Sequence, residues 1–205
     1  MTAGQILAKD LFMTGRKAIF LDRDGTLNKN THYLIDFADF ELMPDAVEAM
    51  RLFQDKGFRL FGVSNQSGIA RGYFTAEAVD DLHEKIIAHL AGKDIRIEEI
   101  AYCPHHPEGV ISAFAVECDC RKPKPGMIRR LQEKYGLDVA ASFMVGDNRS
   151  DAEAGVNAGA TGVWITGPLA GMAQQPSGPG RLDNPGNIKE FVSLIDFARN
   201  LKGSG

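Results

Sequence analysis

Two aspartates separated by one residue close an apolar, strand-like run near the start of the chain. The segment 17–26 reads Lys-Ala-Ile-Phe-Leu-Asp-Arg-Asp-Gly-Thr, so Asp22 and Asp24 stand at its end. Because side chains along a strand alternate with a period of two, both carboxylates are expected on the same side of the turn. Such a pair can bind Mg²⁺ or divide the roles of nucleophile and acid or base. The alternative is a turn in which each aspartate accepts hydrogen bonds from nearby amides.

Two later strand-like runs also end in polar residues. Ser64 and Asn65 end one of them and offer a hydroxyl and an amide. Asp147 ends another, a short apolar strand, and offers a carboxylate. Between them, Lys122 ends no strand but lies just before a helix that is expected to begin at Pro125. Each segment alone could be an ordinary polar loop, but their order along the chain favours one common site.

Asp-Arg-Asp-Gly-Thr resembles the first motif of the haloacid dehalogenase superfamily of aspartate-nucleophile phosphatases. The resemblance implies that Asp22 is the nucleophile and that Asp24 is the general acid and base. It also implies that Mg²⁺ is held by Asp22, Asp147 and the backbone carbonyl of Asp24. Ser64 and Lys122 would hold the transferring oxygens.

All three cysteines of the chain fall in one short stretch together with two histidines. In a cytosolic protein, clustered Cys and His are better interpreted as metal ligands than as disulfides. Cys103, His105, Cys118 and Cys120 make the composition of a closed structural zinc site. His106 is the competing ligand, and His105 is preferred because Cys-x-His mirrors Cys-x-Cys.

The loop 103–120 and the segment 64–72 resemble the D-glycero-D-manno-heptose-1,7-bisphosphate 7-phosphatases and the related histidinol-phosphate phosphatases, over about residues 17–165. The resemblance implies a phosphatase without a large cap domain, in which the zinc loop helps to shape the cleft. The positions assigned to substrate binding are Asn30, Thr31, His32, Tyr33, Ser64, Asn65, Gln66, Ser67, Arg121, Lys122 and Asn148.

Two departures from the heptose enzymes bear on the sugar. Asn148 stands where those enzymes carry lysine, and 30–33 reads Asn-Thr-His-Tyr instead of Asp-His-Gly-Tyr. A sugar bisphosphate needs a cation for its second phosphate, a role that Arg121 could fill. Histidinol phosphate carries an amine and would favour acidic neighbours. A non-catalytic zinc-loop module is the third alternative, but it would tolerate loss of Asp22 or Asp24, and both are present.

Composition limits the other classes of function. The chain has 205 residues, 44% hydrophobic residues and a net charge of −4, which fits a single domain, 1–205. It contains no basic tract for nucleic acid and no apolar run near the about 20 residues of a membrane span. Its first residues lack the apolar core of a signal peptide. We expect a cytoplasmic monomer that acts on a small phosphorylated sugar.

Strand-like and helix-like segments alternate, which predicts an α/β, three-layer Rossmann-like fold with a mostly parallel sheet. The predicted strands are 17–22, 58–64, 96–102, 142–146 and 161–165. Helices are predicted at 45–56, with Asp45 and Glu48 at capping-box spacing, and after 149, with Ser150 and Glu153 at the same spacing.

Helix 75–91 carries an apolar stripe, and its two histidines, His83 and His89, are interpreted as solvated or flanking residues. Residues 166–187 are rich in Gly, Pro and Gln and are predicted to be irregular. A last amphipathic helix is predicted at about 188–201.

Overall fold

A computed structural model describes residues 16–167 and 187–201 of the chain. In these residues six strands form one sheet: β1 Ala18–Leu21, β2 Arg59–Asn65, β3 Ile97–Cys103, β4 Phe143–Gly146, β5 Thr161–Ile165 and β6 Ile188–Phe191. Their spatial order is β3-β2-β1-β4-β5-β6, and every neighbouring pair is parallel. The helices are α1 Ala46–Asp55, α2 Ala76–Ala91, α3 Gly126–Tyr135, α4 Arg149–Ala158 and α5 Leu194–Asn200, with a short 3₁₀ turn at Phe37–Asp39.

The alternation of side chains along the strands separates two apolar cores. In β1, Ile19 and Leu21 join the core with residues of α1, α2 and α5, whereas Ala18 and Phe20 join the core with residues of α3 and α4. Both faces of the sheet are therefore covered, as buried parallel strands require. The predicted three-layer fold is confirmed, and the sheet is parallel throughout the described residues.

The prediction of one helix from 188 to 201 is wrong. Residues 188–191 instead form β6, which pairs with β5 from Gly162↔Ile188 to Ile165↔Phe191. The helix begins only after Ser193, whose hydroxyl accepts a hydrogen bond from the amide of Asp196 (3.1 Å). Apolar residues at 188 and 191 fit a helical period, but the free edge of β5 offers a backbone pairing that this local pattern does not reveal.

Helix starts also differ in detail from the predicted capping pairs. Asp45 makes no capping bond, and its Oδ2 accepts from the amide of Ile195 (3.2 Å), which ties α1 to α5. At α4 the capping pair is Asn148 with Asp151, not Ser150 with Glu153, since Asp151 Oδ2 accepts from the Asn148 amide (3.0 Å). Asp151 is thereby held at the carboxyl end of β4.

No helix of the described residues combines the length and the apolar character that crossing a membrane demands. The predicted irregular segment 166–187 lies almost wholly outside the described residues, as does the start of the chain.

Candidate active site

The predicted polar residues meet at the carboxyl edge of the sheet, where the chain order reverses between β1 and β4. Such a switch point is where ligands bind in open parallel sheets. Asp22 follows β1, and its amide donates to the carbonyl of Val145 in β4 (2.8 Å). Asp147 follows β4, and its carbonyl accepts from the indole of Trp164 (3.0 Å). Strand pairing therefore brings the two aspartates to one edge of the sheet.

A buried ammonium group links three separate segments of the chain. Lys122 Nζ lies 2.5 Å from Asp22 Oδ1 and 2.7 Å from Asp151 Oδ1, and it donates to the carbonyl of Val63 (2.8 Å). All three of its N–H groups thus have an acceptor. Its ion-pair partners are also buried, so these charges depend on one another for compensation.

Burial and charge shift the protonation of this cluster. Burial raises the pKa of Asp22 well above its ordinary value, and Lys122 only partly opposes this effect. Burial alone would lower the pKa of Lys122, but Asp151 and Asp22 together raise it above its ordinary value. The lysine therefore remains protonated at neutral pH and can attract an anionic group.

Three of the carboxylates have the composition of a magnesium site. Ligand atoms of Asp22, Asp147 and Asp151 all lie within 4.8 Å of one another, and all three residues are buried. Gly25 has a φ of +94°, and a Cβ there would lie 2.3 Å from Asp147 Oδ2, so the turn after β1 comes directly against this carboxylate. Buried carboxylate oxygens are the ligands that Mg²⁺ prefers, so the residues fit this ion.

Asp24 has different surroundings from Asp22, although both line the same cleft. Arg23 donates to both of its oxygens, from Nε to Oδ1 (3.0 Å) and from Nη2 to Oδ2 (2.8 Å). Asn28 and Gln66 each add one side-chain amide bond, both at 3.1 Å. The carboxyl group is held by four donors.

Asn65 holds the backbone of Lys122. Its Oδ1 accepts from the Lys122 amide (3.0 Å), and its Nδ2 donates to the Lys122 carbonyl (3.2 Å). Ser64, the preceding residue, accepts at Oγ from Gln66 Nε2 (2.8 Å). The end of β2 therefore positions both the lysine and a buried hydroxyl.

A cleft of about 360 Å³ collects most of the sequence-predicted site residues. It is lined by Asp22, Asp24, Asn30, His32, Tyr33, Ser64, Asn65, Gln66, Ser67, Lys122, Asn148, Ser150 and Asp151. Thr31, Arg121 and the expected metal ligand Asp147 are not among the lining residues. Thr31 lines a neighbouring surface depression, and Arg121 Nη1 donates to the carbonyl of His105 (3.4 Å).

The three cysteines and one histidine form a second cluster of metal-binding type. The Sγ atoms of Cys103, Cys118 and Cys120 lie 3.1, 3.3 and 3.6 Å apart, and His105 Nδ1 is 3.2 Å from the sulfur of Cys120. A tetrahedral Zn–S site has an edge of about 3.8 Å, so the cluster is near the size that zinc needs. A hydrogen bond from Cys103 lowers the pKa of Cys120 to about 5, and the same contact raises the pKa of Cys103.

The competing ligand, His106, lies outside this cluster. Its Nε2 is 3.2 Å from Nη2 of Arg71, and its Nδ1 accepts from the amide of Glu108 (3.2 Å). The backbone of this loop also packs on the segment after β2, where the amides of Val110 and Ile111 donate to the carbonyl of Ala70 (2.8 and 3.0 Å).

The interpretation of His83 as a solvated or flanking residue is wrong. His83 is buried, and its Nε2 lies 3.0 Å from Nη1 of Arg23. His89, by contrast, is exposed on the same helix, as expected. The signal in the sequence was the position of His83 directly after Leu82 of the apolar stripe. Its partner, Arg23, lies 60 residues away along the chain and could not be inferred.

The fold is that of the haloacid dehalogenase-like hydrolases, as the comparisons with known proteins show. A family model described as HAD-hydrolase-like matches residues 119–174. The sequence is 46% identical to D-glycero-beta-D-manno-heptose-1,7-bisphosphate 7-phosphatase of Escherichia coli, over 69% of this chain and 74% of the relative. It is 39% identical to the D-glycero-alpha-D-manno-heptose-1,7-bisphosphate 7-phosphatase of Photorhabdus laumondii, over 70% and 78%.

A solved structure agrees with these sequence relatives. D,D-heptose 1,7-bisphosphate phosphatase from B. bronchiseptica, complexed with magnesium and phosphate, has a TM-score of 0.72 at 29% identity. The match covers 89% of this chain and 96% of that chain. The chain therefore belongs to the family of D-glycero-D-manno-heptose-1,7-bisphosphate 7-phosphatases.

We expect Lys122→Met to lower the free energy of unfolding of metal-free protein by about 3–5 kcal/mol, because it leaves buried carboxylates without their counter-charge. The substitution should raise the pKa of Asp22 further in the folded state. When a carboxyl group has a higher pKa in the folded state than in the unfolded state, protonation stabilises the folded protein. The loss of unfolding free energy caused by Lys122→Met should therefore be smaller at pH 5.5 than at pH 8. Urea unfolding followed by circular dichroism at both pH values measures this.

Lys134→Met is the matched control, because this lysine pairs with Glu99 at the surface. Its effect should stay within about 1 kcal/mol at either pH. Equal effects of the two substitutions would contradict the interpretation of Lys122.

Proposed function

We propose that the protein is a Mg²⁺-dependent phosphatase that removes the C7 phosphate of a D-glycero-D-manno-heptose 1,7-bisphosphate through a phosphoryl group carried on Asp22. The observation that carries the proposal is the buried carboxylate of Asp22 at the end of β1, 2.5 Å from Lys122 Nζ and beside two more aspartates. The relatives' names supply the substrate, and the site supplies the chemistry.

In the first half-reaction, a carboxylate oxygen of Asp22 forms a bond to phosphorus and the bond to the sugar oxygen breaks. The proton of the Asp24 carboxyl group moves to that oxygen, which leaves as the alcohol. In the second half, Asp24 removes a proton from the water that attacks phosphorus, and the bond to Asp22 breaks. Lys122 and Ser64 hold the oxygens of the transferring group, where charge must be stabilised.

Two metal sites belong to the proposal. Mg²⁺, held by Asp22, Asp147 and the backbone carbonyl of Asp24, would supply charge neutralisation at the phosphoryl group. Asp151 is assigned to orienting Lys122, its partner at 2.7 Å. Zn²⁺ held by the three cysteines and His105 would fix the loop that ends next to Lys122.

Basic groups beside the zinc loop favour a bisphosphate over an amine-bearing substrate. Arg121 directly precedes Lys122 and makes a long bond to the His105 carbonyl. Arg71 lies against His106, whose pKa is lowered by burial and then by Arg121 and Arg71. Two guanidinium groups, those of Arg121 and Arg71, therefore lie near His106, where a second phosphate would be attracted and the amine of histidinol phosphate repelled.

The same cluster supports a cytoplasmic location, because zinc thiolates require reduced cysteines. We also propose that residues 1–205 form a single domain and that the protein is a monomer. We assign the remaining residues, from Asn30 to Tyr33 and from Asn65 to Ser67 together with Asn148, to contacts with the sugar; all of them line the cleft except Thr31, which lies in the neighbouring depression.

Asp22→Asn should abolish turnover, with a loss of about 10³-fold or more in kcat, because an amide cannot attack phosphorus and binds Mg²⁺ poorly. Phosphate release from heptose bisphosphate, with Mg²⁺ in excess, measures the loss. Asp55→Asn, at the exposed end of α1, makes the same chemical change away from the cleft and should retain full activity. Activity of Asp22→Asn near that of the control would refute the nucleophile assignment.

The purified protein should contain about one zinc per chain, and His105→Asn or Cys118→Ser should lose it, because each removes one of four ligands. His106→Asn is the matched control and should keep the metal. Elemental analysis of protein purified without chelator measures the content. If His106→Asn loses the zinc and His105→Asn keeps it, the ligand is His106 and not His105. If the wild type contains no zinc, the proposed zinc site is wrong.

The heptose bisphosphate should be hydrolysed with far higher kcat/KM than histidinol phosphate. Arg121→Ala should lower kcat/KM for the bisphosphate by about 10- to 100-fold, the worth of a charge-assisted hydrogen bond, while leaving heptose 7-phosphate nearly unchanged. An equal loss on both sugars would remove Arg121 from the second-phosphate site. Faster hydrolysis of histidinol phosphate would overturn the heptose assignment and leave the Asp22 chemistry intact.

A further inference from the structure

Arg23 stands between Asp22 and Asp24 in the sequence, and its charged side chain is buried. It is 1% exposed, the largest of the fully buried side chains in the described residues. Two of its nitrogens bind the two oxygens of Asp24, and Nη2 also approaches the carbonyl of Leu34 (3.4 Å). A planar guanidinium that binds both carboxyl oxygens sets the plane and direction of that carboxyl group.

The other end of the guanidinium rests on a histidine from a different part of the fold. Nη1 of Arg23 lies 3.0 Å from Nε2 of His83, which comes from the middle of α2. Because arginine has donors only, Nε2 must accept, and the ring proton is then on Nδ1. The ring of His83 meets the ring of Tyr102, in β3, edge to face with the ring centroids 5.4 Å apart, and its buried Nδ1 has no hydrogen-bond partner among the described residues.

The imidazole remains neutral over the whole range of a phosphatase assay. Burial and then the charge of Arg23 lower the pKa of His83 to about 3. A neutral acceptor suits this position, because a second positive charge here would repel Arg23. The contact between His83 and Arg23 is therefore kept throughout this pH range.

We infer that His83 is a positioning residue for the phosphatase reaction: by holding Arg23, it aims the carboxyl group of Asp24 at the oxygen of the leaving alcohol. This rests on the proposed role of Asp24 in the first half-reaction, where its proton moves to the ester oxygen as the P–O bond breaks. His83 itself touches no reacting atom. Its effect depends on how much the leaving oxygen needs that proton.

The choice of substrate isolates this effect. A sugar alkoxide leaves poorly and needs the proton, whereas 4-nitrophenolate leaves without it. The ratio of kcat/KM for heptose 7-phosphate to kcat/KM for 4-nitrophenyl phosphate therefore reports on proton delivery. Because kcat/KM covers steps only as far as the first irreversible one, the later role of Asp24 as base does not enter.

The experiment compares His83→Leu, which removes the acceptor, with His83→Gln, whose Oε1 can replace Nε2. General acid catalysis contributes about 10²–10⁴-fold, so we expect His83→Leu to lower the ratio by about tenfold or more. His83→Gln should restore it to within about threefold of the wild type. His89→Leu makes the same change at an exposed position of α2 and should leave the ratio unchanged.

Circular dichroism and thermal unfolding identify variants that do not fold. If His83→Leu is one of them, His83→Phe takes its place, since its ring fills a similar space, offers no acceptor to Arg23 and leaves Arg23 itself unchanged. An unchanged ratio in the folded variant, or equal losses on both esters, overturns the inference. Asp24→Asn distinguishes the acid role of Asp24 from the positioning role of His83. If the ratio is unchanged in Asp24→Asn as well, the acid role in the proposed function is wrong. If the ratio falls in Asp24→Asn but not in His83→Leu, only the positioning role is wrong.

Discussion

The ammonium of Lys122, buried against Asp22 and Asp151, is the interaction on which the site depends. Burying a charge costs free energy unless the charge is paired. Lys122, in the loop before α3, pairs with Asp22 at the end of β1 and with Asp151 at the start of α4. Asp22 and Lys122 are 100 residues apart in sequence. The site is therefore complete only when β1, β4 and the loop before α3 are all in place, so folding of the sheet and assembly of the chemistry are one event.

A long loop without regular structure has to deliver this lysine accurately. Residues 104–125 contain no helix or strand, and loops of that length are rarely ordered unless they are anchored. The cluster of Cys103, His105, Cys118 and Cys120 draws the two ends of the loop together immediately before Lys122. The side chain of Asn65 then binds both backbone groups of the lysine. A zinc ion at this cluster, as proposed, would therefore help to position Lys122.

The two aspartates of the first motif differ through their neighbours. Asp22 faces an ammonium and two carboxylates, an arrangement suited to a nucleophile beside a divalent cation. Asp24 faces a guanidinium and two amides, which fix its direction. Two identical side chains have different surroundings because the residue between them, Arg23, binds Asp24 and turns inward to His83.

The sequence by itself determined five of the six described strands and the polar residues at their carboxyl ends. Asp22, Asp24 and Asp147 could be predicted to meet because each follows an apolar run, and strand ends of a parallel sheet meet at one edge. Lys122 was predicted to join them because its segment resembles that of the haloacid dehalogenase phosphatases. The cysteine cluster was readable from its spacing. These features are local patterns, so a single stretch of chain carries the information.

Only the tertiary structure decided which groups touch across the fold. It made residues 188–191 a strand because β5 had a free edge, and it left Arg121 beside the cleft, bound to a loop carbonyl. It also buried His83, which was expected to be a solvated or flanking residue, against the guanidinium group of Arg23. Sequence patterns report the period of one segment, whereas pairing partners and hydrogen-bond acceptors come from segments far along the chain, whose relative placement exists only after packing.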